Sequence, residues 1–251
     1  MARYDYRTPR LFVEAPLVAG ARVPLDRAQM NYLVNVLRLG EGGSVLVFNG
    51  RDGEWQALLE PAGRKDFALA AEERTRSQPA PGDLHYLFAP LKHARLDYMV
   101  QKAVEMGASR LQPVLTRHGQ VERINLDRMR ANAIEAAEQC GILTLPEIAE
   151  PIALTAAIDA LEPARLLIFC DEDAEVKDPV AALAAVRTNG EGARPLAVLI
   201  GPEGGFSDDE RAALMKVTNV VRLSLGPRIL RADTAAVAAL ALVGAVLGDW
   251  R

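Results

Sequence analysis

Twice near its C-terminus the chain runs a short strand-like stretch into a rigid glycine turn and then into a helix start, and this repeated plan restricts the fold more than any other feature. The first instance is Leu196-Ala197-Val198-Leu199-Ile200, followed by Gly201-Pro202-Glu203-Gly204-Gly205-Phe206-Ser207. The second is Val220-Val221-Arg222-Leu223-Ser224-Leu225, followed by Gly226-Pro227-Arg228-Ile229-Leu230-Arg231-Ala232. In the first turn Gly201, Gly204 and Gly205 let a ligand approach the backbone closely. In the second, Gly226 is free to take a positive φ and Pro227 fixes its own, so Arg228 and Arg231 are presented from a stiff loop. Ser207 with Glu210 three residues later forms a capping box for the helix that follows, and Asp233 or Thr234 is placed to cap the last helix. From Ala235 to Leu247 every residue except Gly244 is Ala, Val or Leu. A helix apolar all round is buried on every face, and this one is too short to cross a bilayer, so it reads as a core or subunit-interface helix.

Upstream, two regions separate by pattern. Residues 1–76 contain short strand candidates at Arg10 to Val13, Ser44 to Phe48, Glu54 to Leu59 and Asp66 to Ala70, and Asn49-Gly50 with Asp52-Gly53 marks the middle pair as a hairpin. One helix is predicted from Leu25 to Leu39, with apolar residues at Met30, Leu33, Val34 and Leu37, a cap at Asp26 and a stop at Gly40. This describes a small β-rich domain, the right size for a compact barrel. Residues 77–83, Ser-Gln-Pro-Ala-Pro-Gly-Asp, exclude regular structure and mark a linker. From 84 to 251 strands and helices alternate: His85 to Ala89, a helix ending at Met106 before Gly107, Arg110 to Leu115, Leu126 to Cys140, Arg165 to Cys170 and Pro179 to Val186, then the two units above. Such alternation predicts an α/β fold with a mainly parallel sheet and helices on both faces, whose ligands gather beyond the carboxyl ends of the strands.

Composition removes several functions. The cysteines Cys140 and Cys170 form no framework and no CxxC, and His85, His93 and His118 fall at no metal-ligand spacing, so no metal is expected. A P-loop lysine, a dinucleotide fingerprint and a G-x-S-x-G elbow are all missing. The start of the chain lacks the apolar stretch of a signal peptide and no run reaches membrane-spanning length, which points to the cytoplasm. A net charge of −4 argues against coating nucleic acid by bulk attraction, yet residues 92–130 carry eight basic and four acidic side chains and residues 131–225 seven and sixteen. That segregation suits a face that holds phosphate.

LIGPEGGFS and LSLGPRILRADTA resemble two signature motifs of the SPOUT methyltransferase superfamily, most closely those of the bacterial 16S rRNA uracil-N3 methyltransferases. The resemblance extends to Pro9-Arg10-Leu11-Phe12-Val13, Val36-Leu37-Arg38-Leu39, Gln101-Lys102-Ala103-Val104-Glu105-Met106-Gly107 and Glu135-Ala136-Ala137-Glu138-Gln139-Cys140. It implies a SPOUT fold with a C-terminal trefoil knot after a PUA-like, RNA-binding barrel, a homodimer, S-adenosyl-L-methionine as cofactor and small-subunit 16S rRNA as partner. The cofactor residues it implies are Leu199, Ile200, Gly201, Glu203, Gly204, Leu223, Leu225, Gly226, Ile229, Leu230 and Thr234. Arg10, Arg38, Lys92, Arg95, Lys102, Arg117, Arg130 and Arg228 become candidate RNA contacts, because phosphate is neutralised by several cations together.

Methylation of a uridine at N3 removes an imide proton and spreads negative charge onto the flanking carbonyl oxygens, so a cation belongs there. Arg231 is the catalytic candidate and Arg228 the second, the alternative for Arg231 being an ion pair with Glu203 or Asp233. The chain departs from the family pattern at Tyr32, Ala131, Ile142 and Asp233, where His, Trp, Arg and Glu are usual. Tyr32 still offers a ring to a base. Two alternatives stand beside this reading: a SPOUT enzyme acting on a ribose 2′-hydroxyl or another base, and a non-catalytic RNA-binding assembly factor.

Overall fold

The computed structural model describes Asp5 and residues 7–63, 66–121, 123–175, 178–187 and 194–250, with the backbone alone at His93. The chain forms two compact units, one of Met1–Pro81 with Ile134–Leu145, the other of Gly82–Ala133 with Pro146–Arg251. Residues 77–83 carry no regular structure.

The first unit contains β1 (Arg10–Phe12), β2 (Arg22–Pro24), α1 (Arg27–Met30), β3 (Ser44–Phe48), β4 (Glu54–Pro61) and β5 (Phe67–Arg76). Its sheet order is β1-β3-β4-β5-β2, with β1 parallel to β3 and every other pair antiparallel. The expected β3–β4 hairpin is present, Phe48 pairing with Glu54. Side chains build its turn. The Asn49 amide donates to the Ala15 carbonyl at 2.9 Å and to Asp52 at 2.6 Å, while the Asp52 carboxylate accepts from the Leu17 N–H at 2.9 Å. Leu33, Val45, Val47, Leu59 and Leu69 close the core.

Two local expectations need correction here. Asp26 does cap its helix, in a capping box with Gln29, but after Met30 the winding widens to a π-helix over Asn31–Val36. The helix then ends at Leu37, and Arg38, at φ 56°, takes the left-handed position expected of Gly40. Arg10, a candidate RNA contact, is instead buried, its Nε donating to Glu54 at 2.9 Å. Glu54 also accepts from Arg76 at 2.6 Å, so one buried carboxylate answers two guanidinium groups. A charge removed from water is tolerated only when paired in this way, so Arg10 is held in a buried ion pair rather than displayed on the surface.

The second unit contains β6 (Leu84–Phe88), α2 (His93–Glu105), β7 (Arg110–Leu115), α3 (Leu126–Cys140), β8 (Glu147–Ile148), β9 (Ile152–Ala153), α4 (Leu154–Asp159), β10 (Leu166–Cys170), α5 (Pro179–Ala185), β11 (Leu196–Ile200), α6 (Asp208–Leu214), β12 (Val220–Leu223) and α7 (Ala232–Val246). From Ile134 onward α3 counts with the first unit. The strand order is β12-β10-β11-β6-β7-β8, with β9 also on β7, and every pairing among the described residues is parallel. All five residues of β10 and all five of β11 are buried, as strands covered on both faces must be. Helix α7 packs against α2, α5 and β11.

Burial of α7 on every face does not hold within one chain. Ala236, Ala239, Leu240 and Val243 are buried, whereas Val237, Ala238, Ala241 and Leu242 are half-buried and Ala245 is exposed. Its N-cap is Arg231 without a side-chain cap, because the Asp233 carboxylate accepts from the adjacent Thr234 N–H at 2.8 Å. No helix among the described residues is long and apolar enough to cross a membrane.

In the first unit, Glu138 accepts from the Phe12 N–H at 2.8 Å. Burial pushes its carboxyl up from 4.5 to about 6, against the Phe12 hydrogen bond and with help from Glu135. The folded state therefore holds this proton more tightly than the unfolded chain does. The resulting stability is complete below pH 4.5 and is lost as pH rises through 6. Glu138→Gln keeps an oxygen for the Phe12 N–H and removes the buried charge. It should raise stability at pH 7 by about 1–2 kcal/mol and flatten the decline across that window in urea titrations. A variant less stable than wild type at pH 7 contradicts the assignment.

Candidate active site

Strands β10, β11 and β12 stop level with one another, Cys170 pairing with Ile200 on one side and Leu223 on the other. Beyond these ends lies a cavity of about 360 Å³, within the range of small-molecule sites. It is bounded by residues 170–172, the turn 200–205, the loop 223–230, and Ala232 and Ala235 of α7.

Of the residues assigned to a cofactor, Ile200, Gly201, Glu203, Gly204, Leu223, Leu225, Gly226, Ile229 and Leu230 line this cavity. Leu199 does not, being wholly buried in the sheet core, and Thr234 is exposed on the first turn of α7. Arg228 lines the cavity and is exposed. Arg231 is exposed at the N-cap of α7, between Leu230 and Ala232, which both line it. Among the described residues neither arginine has an ion-pair partner: Glu203 is bonded to Arg95, and Asp233 to its neighbour Thr234.

Arg38 is exposed in the first unit, and Lys92, Arg117 and Arg130 are exposed in the second. Lys102 is half-buried, bonded to Glu105 at 2.6 Å, with its ammonium 5.6 Å from the centre of the Tyr98 ring.

The sequence reading missed the third wall, Cys170-Asp171-Glu172. Asp171 is buried and accepts from Arg222 at 2.8 Å and Arg211 at 3.3 Å. Arg211 also reaches Glu172 at 2.9 Å and Asp173 at 3.0 Å, so a single guanidinium touches all three carboxylates. Burial pushes the Cys170 thiol up to about 12, which keeps it protonated and inert at neutral pH. The signal that could have found this wall is a buried strand followed at once by Asp-Glu-Asp, read with the rule that strand ends of a parallel sheet converge.

The glycines act differently from the expectation of open backbone. A Cβ on Gly201 would lie 2.4 Å from the Phe206 ring, and one on Gly205 2.4 Å from Glu172 Oε1. The protein's own atoms occupy that space. Gly204 faces His118, with 3.2 Å to its Cβ. Only Gly226 faces open space among these four, and its need for glycine is its φ of 104°. Gly201→Ala should therefore lower stability by about 1–3 kcal/mol through forced displacement of Phe206. Gly226→Ala should cost a similar ~1–3 kcal/mol through backbone strain alone. Thermal denaturation of both variants checks this, and a fully stable Gly201→Ala protein refutes the packing account.

Comparison with known proteins agrees with this geometry. Residues 78–244 match the family described as RNA methyltransferase domain, and residues 25–71 the RNA methyltransferase PUA domain. Ribosomal RNA small subunit methyltransferase E of Rickettsia conorii is 28% identical over 93% of this chain and 94% of its own length. The protein of the same name from Synechocystis is 31% identical over 95% of this chain and 78% of its own. Among solved structures, a putative methyltransferase of Legionella pneumophila in complex with the cofactor SAM superposes with a TM-score of 0.81 at 28% identity, covering 97% of this chain and 99% of that one. Ribosomal RNA small subunit methyltransferase E of Neisseria gonorrhoeae, bound to S-adenosyl methionine, gives 0.82 at 25% identity over 98% and 100%. The parallel sheet with its preceding mixed sheet is thus the SPOUT arrangement with an N-terminal PUA domain. With two-thirds of its length inside one family match and relatives that align almost end to end, this chain belongs to the RNA methyltransferase family that carries a PUA domain.

Proposed function

We propose that this protein transfers a methyl group from S-adenosylmethionine to N3 of a uridine in 16S rRNA of the small ribosomal subunit. The observation that carries the reading is the cavity at the ends of β10, β11 and β12, lined by Arg228 and followed at once in the chain by Arg231 at the N-cap of α7, neither with an acidic partner among the described residues, in a chain aligned throughout with named small-subunit rRNA methyltransferases. Its walls fit the cofactor. Ile200, Leu223, Leu225 and Leu230 offer apolar surface for an adenine, the turn 201–205 and the loop at 225–226 offer backbone groups, and Glu172 offers a carboxylate to a cationic ligand. S-adenosylmethionine supplies there a methyl carbon already activated by its sulfonium.

The remaining work belongs to the protein. Arg231, held at the head of α7 by Pro227 and the helix start, stabilises the charge that spreads onto the uracil oxygens as the N3 proton leaves. Arg228 stands beside it on the same loop and contacts the RNA backbone. The PUA domain with Arg38, and Lys92, Arg95, Lys102, Arg117 and Arg130 of the second unit, supply the phosphate contacts. The site of action is the cytoplasm, where rRNA is assembled.

Mass spectrometry of nucleosides from small-subunit rRNA, before and after treatment with the purified protein, tests the reaction. A new N3-methyluridine is expected, and methylation elsewhere or none overturns the proposal. In single-turnover assays Arg231→Ala should retain the cofactor and lose on the order of 10²-fold in rate. Arg231→Lys should recover little, because a point charge does not match the guanidinium fork. Raising pH should partly restore the Ala variant by removing the N3 proton in solution. Full activity in Arg231→Ala removes the catalytic role.

The outer face of α7 supports a homodimer. Val237, Ala238, Ala241 and Leu242 are half-buried in one chain, and covering them with a second copy removes that surface from water. Sedimentation at micromolar concentration should give a dimer, and Ala238→Glu or Ala241→Glu should give monomer or insoluble protein. A wild-type chain that sediments as a stable monomer rules the dimer out.

A further inference from the structure

The turn 201–205 has a second side. One side walls the cavity described above, and the other closes a small groove lined by Lys92, Arg95, Gln120, Val121, Pro202 and Glu203. Glu203 belongs to both, and within the groove its carboxylate is hydrogen-bonded to the Arg95 guanidinium. Both side chains are more than a third exposed, at 37% for Arg95 and 39% for Glu203. An ion pair this exposed is weak and open to exchange with another anion. Lys92, one turn before Arg95, is exposed on the same groove without an ion-pair partner among the described residues.

The turn is also tied to the segment after β7. His118 Nδ1 lies 3.2 Å from the Gly205 carbonyl, and the Arg117 N–H donates to Glu210 at 2.8 Å. Glu210 is at the same time half of the capping box with Ser207. The turn therefore stays in place when the Arg95–Glu203 pair opens, and the exchange is confined to the two side chains.

We infer that Glu203 is an internal stand-in for a phosphate of the RNA substrate: its carboxylate holds Arg95 until a backbone phosphate enters the groove between Arg95 and Lys92 and displaces it. This rests on the reading of the protein as an RNA methyltransferase acting at the adjoining cavity. A guanidinium binds carboxylate and phosphate through the same planar pair of donors, so the two acceptors compete for one site. Glu203 is then a positioning residue. It keeps Arg95 aimed into the groove in the free protein and lowers RNA affinity by the work of its own displacement.

The test is binding of 16S rRNA fragments to the full-length protein across salt concentration, for wild type, Glu203→Gln, Arg95→Ala and the double variant. Glu203→Gln should bind RNA more tightly by roughly two- to fivefold, the scale of an exposed ion pair. Arg95→Ala should weaken binding and reduce the slope of log affinity against log salt by about one phosphate contact, ~0.7–0.9. In the Arg95→Ala background the Glu203→Gln substitution should have no further effect, a result that simple charge removal or damage to the fold does not give. Weaker binding by Glu203→Gln, or a gain that persists without Arg95, overturns the inference while leaving the enzyme reading intact. Failure of wild type to bind rRNA overturns both.

Discussion

Everything at the candidate site depends on the parallel register of β10. Because Cys170 pairs with both Ile200 and Leu223, three chain segments distant in sequence leave the sheet at one level and must turn there together. The register continues one residue further, where the Asp171 N–H donates to the Leu223 carbonyl at 3.0 Å. That bond carries Asp171 under the sheet end, where its carboxylate is buried. A carboxylate in that position is stable only because Arg222 from β12 and Arg211 from α6 reach it, so the charge network follows from the hydrogen-bond ladder.

The two loops on this frame meet different constraints. The turn 201–205 is packed: Phe206 lies over Gly201, its ring edge-on to Phe169 with centres 5.1 Å apart, and Glu172 fills the space beside Gly205. Glycine is a matter of volume at Gly201, and of both volume and a φ of 69° at Gly205. The loop 225–230 is open, and Gly226 is a matter of backbone angle, with Ile229 91% exposed at the tip. One wall of the cavity is therefore fixed by the core, while the other is a stiff but uncovered arm that carries Arg228 and leads to Arg231 at the head of α7. A methyl transfer needs this division, since the donor must be held in a set conformation and the acceptor base must enter from outside.

The arginines sort by what answers them. Arg10, Arg76, Arg211 and Arg222 each bond to a buried carboxylate, and their role is to make that burial tolerable. Arg128 is bonded to Asp97 on the surface and Arg95 to Glu203 at the groove. Arg228, which lines the cavity, and Arg231, at the N-cap of α7, have no carboxylate partner among the described residues.

Periodicity and turn chemistry determined most of the elements. Asn49 to Gly53 marked the hairpin, Ser207 with Glu210 the start of α6, and Gly107 the end of α2, because each of these depends on residues within a few positions of one another. The motif turns 201–205 and 226–231 were legible for the same reason, and the family resemblance rested on them. What tertiary structure decided lies where distant residues compete for space or charge. Burial against Glu54 turned Arg10 from a surface cation into a structural one, and only the neighbour across the sheet distinguishes the two. The Asp171-Glu172 wall arose because β10 took the place between β11 and β12, an order no local pattern encodes. Leu199 and Ile200 are alike in sequence, yet alternation along β11 sends one into the core and leaves the other at the cavity edge. Sequence alone determined where the two glycine loops fall; only the fold decided which atoms line the cavity, since that depends on side chains brought together from the ends of separate strands.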